Sequence, residues 1–236
     1  MDKAHVAVAT ITLARDAAEE AALLSGLEAL AACGCPVFVT DGGSPPAFVH
    51  RARELEGLTV VEPACRGVWP QARSSLRAAL ASGAERIFYT EPDKRDFFRD
   101  DLASFIGDAP RDAGVVVVSR SAETLATFPA FQQYTEGVIN RCCAEVITAS
   151  FDYSYGPFLL AADVVAHLAG APDDIGWGWR LYAFAIAHRL GLTVQSLARA
   201  SGCPPDQRRN AESLYRMQQL AESVRGLVLA AKASLE

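Results

Sequence analysis

The sequence has little from which to build a zinc site: 236 residues hold four histidines and no CxxC pair, and structural zinc needs clustered cysteine and histidine ligands. It has no dense lysine and arginine stretch either, and its formal net charge is −6. A duplex-binding protein needs a concentrated basic face to displace counterions from phosphate, so nucleic acid is excluded as a partner. No apolar run approaches the roughly 20 residues of a membrane-spanning helix. The apolar stretch from Ala4 to Leu13 has no basic start and no small-residue cleavage site, so it reads as a strand and not as a signal peptide. No Gly-x-Gly-x-x-Gly follows it, which tells against a nicotinamide-dependent enzyme. Internal repeats, low-complexity tracts and long linkers are also missing.

What is present is the material of a folded domain. Half the residues are apolar and 21% are charged, and a chain of this length can bury most of its apolar surface without disulfides. The six cysteines, Cys33, Cys35, Cys65, Cys142, Cys143 and Cys203, are therefore read as reduced thiols, which implies a cytoplasmic protein.

Short β-branched runs alternate with longer alanine-rich segments. The runs are 5–12, 36–40, 58–62, 86–90 and 114–119, and their near-continuous apolar character marks strands covered on both faces. Helical composition fills 17–33, 46–56, 70–82 and 101–107. Gly34, Gly57 and Gly83 stand just past three of these ends, where a left-handed residue terminates a helix. The second half predicts a helix over 131–148, a strand over 155–161 flowing into a helix over 163–168, and a loop over 170–178. A helix over 179–190, a strand over 192–197, a break at 202–205 and a terminal helix over 207–234 complete it. The expected fold class is α/β: a doubly wound, mostly parallel sheet in three α/β/α layers with a C-terminal helix. One domain spans 1–236, with 1–120 as one half, 121–200 as the other and 205–235 as the closing helix.

Ligands of open α/β sheets bind at the carboxyl ends of the strands, so residues just after each run carry the information. Strand one ends in Thr10-Ile11-Thr12. Strand two ends in Thr40-Asp41-Gly42-Gly43-Ser44, where Asp41 is free to accept hydrogen bonds from a base or ribose, or else begins an Asp-Gly turn with Ser44 capping the next helix. Arg66 and Arg73 bracket a helix start, a place that attracts anions; both also suit an exposed turn. After strand four comes Glu91-Pro92-Asp93-Lys94. Two carboxylates one residue apart, turned toward each other by Pro92, suit a hard divalent cation that completes its shell with phosphate and water oxygens. The alternative is an acidic turn with Lys94 paired locally.

The order of these motifs resembles the GT-A glycosyltransferases, particularly the family-2-like ones, over about residues 4–200. By that resemblance the sheet is of GT-A type and the protein moves a sugar from a UDP- or GDP-linked donor to the hydroxyl of an unidentified acceptor. Thr10, Thr12, Asp41, Gly42, Arg66 and Arg73 would line the nucleotide, and Glu91 and Asp93 would hold Mn2+ or Mg2+. Glu91 stands where the family has Asp, and Pro92 is unusual between the acids. Tyr155-Gly156 and the segment Asp173–Arg180 look like the acceptor side, with Trp177, Trp179 and Arg180 against the sugar. The family's general base is an acid at the start of the following helix. Trp179 and Arg180 stand there, which leaves Asp173 or Asp174 as the candidate base, or no base in a retaining enzyme. His188, mid-helix, reads as a surface histidine and not as a third metal ligand. The terminal helix lacks a lipid-binding basic face and offers a homo-oligomer contact. The other readings are a nucleotidyltransferase, disfavoured because no glycine-rich loop follows strand one, and a catalytically silent homologue that binds a sugar nucleotide or a protein.

Overall fold

The computed structural model describes residues 5–199, 203 and 213–235. Seven strands form one sheet: β1 (Val6–Thr12), β2 (Val37–Asp41), β3 (Leu58–Val61), β4 (Arg86–Tyr89), β5 (Ala113–Ser119), β6 (Phe158–Ala161) and β7 (Thr193–Ala198). Their order across the sheet is β3-β2-β1-β4-β6-β5-β7. All neighbours run parallel except β6, which is antiparallel to both β4 and β5. A strand of only four apolar residues, Phe158–Ala161, carries no mark of its direction, so this inversion is not legible in the sequence.

The alternation of side chains along a strand divides the core into two layers. Val6 and Val8 of β1, Phe88 of β4 and Val116 and Val118 of β5 face one side, packed by α1 (Ala17–Ala31), α2 (Pro46–Arg53), α4 (Arg95–Asp100) and α5 (Leu102–Asp108). Ala7, Ala9, Ile87, Tyr89, Val115 and Val117 face the other. That side is covered by α3 (Val68–Ala81), α7 (Ala130–Ile147), α8 (Ala162–Ala166), α9 (Trp179–Arg189) and α10 (Ser213–Lys232), with α6 (Ala122–Leu125) between β5 and α7. The chain thus has the expected three-layer, mostly parallel α/β architecture with a C-terminal helix. The predicted start of that helix at 207 and the break at 202–205 lie largely outside the described residues.

Local chemistry sets the helix ends. Asp16 caps α1 by accepting the amides of Ala18 and Glu19 at 2.9 Å each, and Glu19 and Glu20 follow at the positive end of the helix dipole. Gly34, Gly57 and Gly83 all adopt positive φ, but only Gly83 directly follows a helix cap; α1 ends at Ala31 and α2 at Arg53, short of the predicted 33 and 56, so Gly34 and Gly57 lie further on in the turns. Two further expectations are corrected. Ser44 does not cap α2, which starts from Pro45 without a side-chain cap. The helix expected over 101–107 is α5 (Leu102–Asp108), but a further short helix, α4, precedes it and buries Phe97 and Phe98. The predicted loop over 170–178 contains a tight 3-10 turn, Asp173–Gly178, kinked at Gly176 where φ is +58°.

Candidate functional site

The strand order reverses between β1 and β4: from β1 the chain builds outward through β2 and β3, then returns to add β4 on the other side. Such a reversal leaves a crevice at the carboxyl ends of the two strands, where open α/β sheets place their ligands. Nearly every candidate residue lies along this edge, but they separate into distinct groups.

The first group ties β1 to β2. Asp41 accepts from the Thr12 hydroxyl at 2.9 Å, the Gly43 and Ser44 amides at 2.8 and 2.7 Å, and the Ser44 hydroxyl at 2.5 Å. Ser44 Oγ in turn accepts the Ala14 amide at 2.7 Å. Both oxygens of Asp41 are therefore engaged by its own turn, which corrects the expectation of a carboxylate free for a base or ribose. Gly42 does sit at a close approach, with a β-carbon there 3.0 Å from the Gln71 side-chain amide and 3.2 Å from the Thr12 carbonyl. What crowds it is the protein itself. Thr10 is wholly buried and its hydroxyl has no partner, so a ligand at the edge does not reach it.

The second group forms on α3. Arg73, a candidate for the nucleotide, and Asp173, a candidate base, come together in an ion pair of 2.6 Å. The Arg73 guanidinium also lies 5.8 Å from the Trp69 ring. Arg66 is exposed on the preceding turn. Asp174 is held by Arg225 of α10, which donates to its carboxylate and to its carbonyl at 2.8 Å each; the hydrogen bond from Arg225 lowers the Asp174 carboxyl below its ordinary value. An aspartate lowered in this way is a poorer proton acceptor. Glu222 accepts the Trp177 amide at 2.8 Å. Gly178 and Gly226 meet backbone to backbone, with no room for a β-carbon on either. The acceptor-side turn is thus clamped onto α10.

The third group is the acidic triplet after β4. Glu91 pairs with Arg180, the second residue of α9, at 3.5 Å, and Asp93 pairs with Lys94 at 2.6 Å. Lys94 and Arg180 are only 12% and 11% exposed in their side chains. Burial works to lower the Lys94 ammonium, but the charges of Asp93 and Glu91 outweigh it and raise its pKa. The Lys94 ammonium lies 5.5 Å from the Tyr155 ring, and the Arg180 guanidinium 5.2 Å from the ring of Trp177. Gly156, at φ +126°, brings the backbone so near that a β-carbon would sit 2.7 Å from Glu91 Oε2. Tyr155, Gly156, Trp177 and Arg180 therefore do converge on the triplet. Beneath it, Gly26 of α1 lies directly under the Pro92 carbonyl, with no space for a side chain. Burial, then the Glu91 charge, holds the Tyr89 phenol well above its usual pKa.

Trp179 is corrected. It is wholly buried, stacked on Trp69 at 5.3 Å and edge-on to Tyr89 at 4.6 Å, so it is core and not a sugar platform. His188 is exposed near the other end of α9, as expected. Among the described residues no three His, Cys, Asp or Glu side chains gather to hold a metal. The donor set available is Glu91 with Asp93: two hard oxygen ligands, which fits a divalent cation that takes its remaining oxygens from a diphosphate and water.

One network was missed altogether. Arg120, just past β5, donates to Glu136 at 2.7 Å and to Asp152 at 2.7 and 3.1 Å, the three side chains being at most 8% exposed. Its guanidinium lies 4.5 Å from Phe128 and 5.2 Å from Tyr155, so Tyr155 is held between Arg120 and Lys94. The position of Arg120 at a strand end was the available signal; its partners lie 16 and 32 residues away in sequence.

The sequence matches no protein-family model and no curated protein. Solved structures do match. Glucosyl-3-phosphoglycerate synthase from Mycobacterium tuberculosis, in complex with Mn2+, UDP-glucose and phosphoglyceric acid, superposes with a TM-score of 0.69 at 16% identity, over 98% of this chain and 82% of that one. The same enzyme with Mg2+ and UDP gives 0.63 at 16% identity over the same shares. A mycobacterial protein described only as such gives 0.69 at 17%, covering 98% and 77%. The chain has the GT-A fold.

Proposed function

We propose that this chain is a glycosyltransferase that moves a sugar from a nucleoside-diphosphate donor to an acceptor hydroxyl. The carrying observation is the acidic pair Glu91 and Asp93 at the strand reversal of a GT-A sheet, converging with Tyr155, Gly156, Trp177 and Arg180. Similar structures hold UDP or UDP-glucose with Mn2+ or Mg2+, which supports a donor and a divalent cation here. Glu91 and Asp93 would hold that cation, and when bound it would offset charge developing on the departing diphosphate. Arg66, exposed beside the start of α3, is placed to meet a phosphate or ribose. Trp177 offers the half-buried aromatic face for a sugar. Halves 1–120 and 121–200 act as one domain in this reading, because β6 and β7 belong to the same sheet as β1 to β5.

Calorimetric titration with UDP, GDP and their sugars, with and without Mn2+, tests the reading. Binding strengthened by Mn2+ and weakened at least about tenfold in Asp93→Ala, a loss near 1.4 kcal/mol, supports it. Binding that ignores both the metal and the substitution removes the triplet from the site.

A second reading has its own observation. Both base candidates are ion-paired, Asp173 to Arg73 and Asp174 to Arg225, which favours a protein that binds a sugar nucleotide without turning it over. Nucleotide binding with no sugar transfer to any acceptor tried would select it. A nucleotidyltransferase is disfavoured: only Leu13, Ala14 and Arg15 separate β1 from Asp16, the cap of α1, too short a span for a phosphate-wrapping loop.

A further inference from the structure

The acidic triplet is already neutralised by its own chain. Lys94 lies 2.6 Å from Asp93, and Arg180 lies 3.5 Å from Glu91. Tyr155 and Trp177 back the two cations, and Gly156 closes the space beside Glu91. A further charge, Arg120 on the other side of Tyr155, is balanced by Glu136 and Asp152. Two carboxylates and two cations thus sum to zero in a setting where Glu91, Lys94 and Arg180 are largely shielded from water and Asp93 is exposed. A divalent cation entering alone would bring two uncompensated positive charges into that setting and would have to compete with Lys94 for Asp93. A diphosphate entering alone would meet two donors whose charges are already spent on carboxylates. Entering together, the two ligands nearly cancel, and the phosphate oxygens can receive the N–H groups that the carboxylates release to the metal.

Building on the transferase reading above, we propose that Lys94 and Arg180 are resident counter-cations of the triplet, so that a divalent cation binds strongly only together with a nucleoside diphosphate. The coupling is reciprocal: whatever factor UDP adds to the affinity for Mn2+, Mn2+ adds to the affinity for UDP. Lys94 carries the larger part, because its ion pair is the shorter.

The test is calorimetric titration of wild type, Lys94→Met and Lys94→Arg with MnCl2 alone, with UDP alone and with each in the presence of the other, Mn2+ occupancy being followed independently by electron paramagnetic resonance. In wild type, Mn2+ alone binds weakly and UDP strengthens it. In Lys94→Met, Mn2+ alone binds about tenfold tighter, a modest fraction of the interaction between unit charges at this range, and the strengthening by UDP shrinks. Lys94→Arg keeps the charge and stays near wild type. Thermal unfolding checks that each variant is folded, and Arg180→Gln repeats the experiment at Glu91 should Lys94→Met not fold. Equal Mn2+ affinity in wild type and the charge-removing variants, with UDP still bound, overturns the counter-cation inference alone. Absence of UDP binding in every arm, together with absence of GDP binding in the titrations that test the transferase reading, overturns that reading itself.

Discussion

Arg120 serves two buried carboxylates, Glu136 and Asp152, and its side chain is only 1% exposed. Removing one partner of a buried ionic cluster leaves the others uncompensated, so Arg120→Met is expected to cost about 3–5 kcal/mol in urea unfolding. The cluster also sets a pH dependence. Burial acts to raise the Asp152 carboxyl, but hydrogen bonding and charge from Arg120 overcome it and leave the pKa below the ordinary value. A carboxyl depressed on folding contributes fully above its unfolded value, about 3.9, and loses the contribution as pH falls through the lower folded value. Urea midpoints should therefore decline on acidification below about pH 4, and Asp152→Asn should remove part of that decline. At this scale the sequence was only partly legible. Glu91, Asp93 and Lys94 could be singled out because they are adjacent and follow a strand. Trp179 could not be told from Trp177, since which of two tryptophans turns inward depends on how α9 packs on Tyr89 and Trp69. Asp41 had two readings, a carboxylate for a ligand or an Asp-Gly turn, and the choice depends on which hydrogen bonds its oxygens accept; here the turn engages both of them.

Helix α10 and the turn Asp173–Gly178 behave as one unit. Gly178 and Gly226 touch through their backbones, Glu222 holds the Trp177 amide, and Arg225 holds Asp174. A methyl group at this contact must push helix and turn apart. Gly226→Ala is expected to destabilise the protein by about 1–3 kcal/mol, the range for overpacking, and to speed hydrogen exchange across 173–178, while exchange in β1 and β2 stays unchanged. Slow exchange in that turn despite the substitution would show that the clamp does not hold it. The longer helices were readable from composition and apolar spacing, because those signals are local; the short α4 and α6 were not. The antiparallel entry of β6 and the kink at Gly176 were not, because both are set by contacts with distant segments.

At the scale of the whole molecule, the alternation of strands and helices was enough to read a three-layer sheet, and the carboxyl-edge rule was enough to say where the site lies. Which charges cancel which was beyond reach, since Glu91 and Arg180 are 89 residues apart. One outward feature bears on assembly. Leu214, Met217, Ala221, Val224 and Val228 are exposed at alternating spacings of three and four along α10, the pattern of a helix–helix seam. The homo-oligomer expected from the sequence would use this face against its copy. Sedimentation velocity should show mass rising with concentration for the wild type and a monomer for Met217→Glu with Val224→Glu; a wild-type monomer at every concentration would exclude it. Gly26, finally, belongs to no ligand and sits mid-way along α1, yet the Pro92 carbonyl rests on it. The position of the triplet is therefore written into the backbone of α1, a helix whose neighbours are α2 and α4. In a saturation survey, position 26 would tolerate no side chain and would sort with Glu91 and Asp93, although a ranking by closeness to a ligand would pass over it.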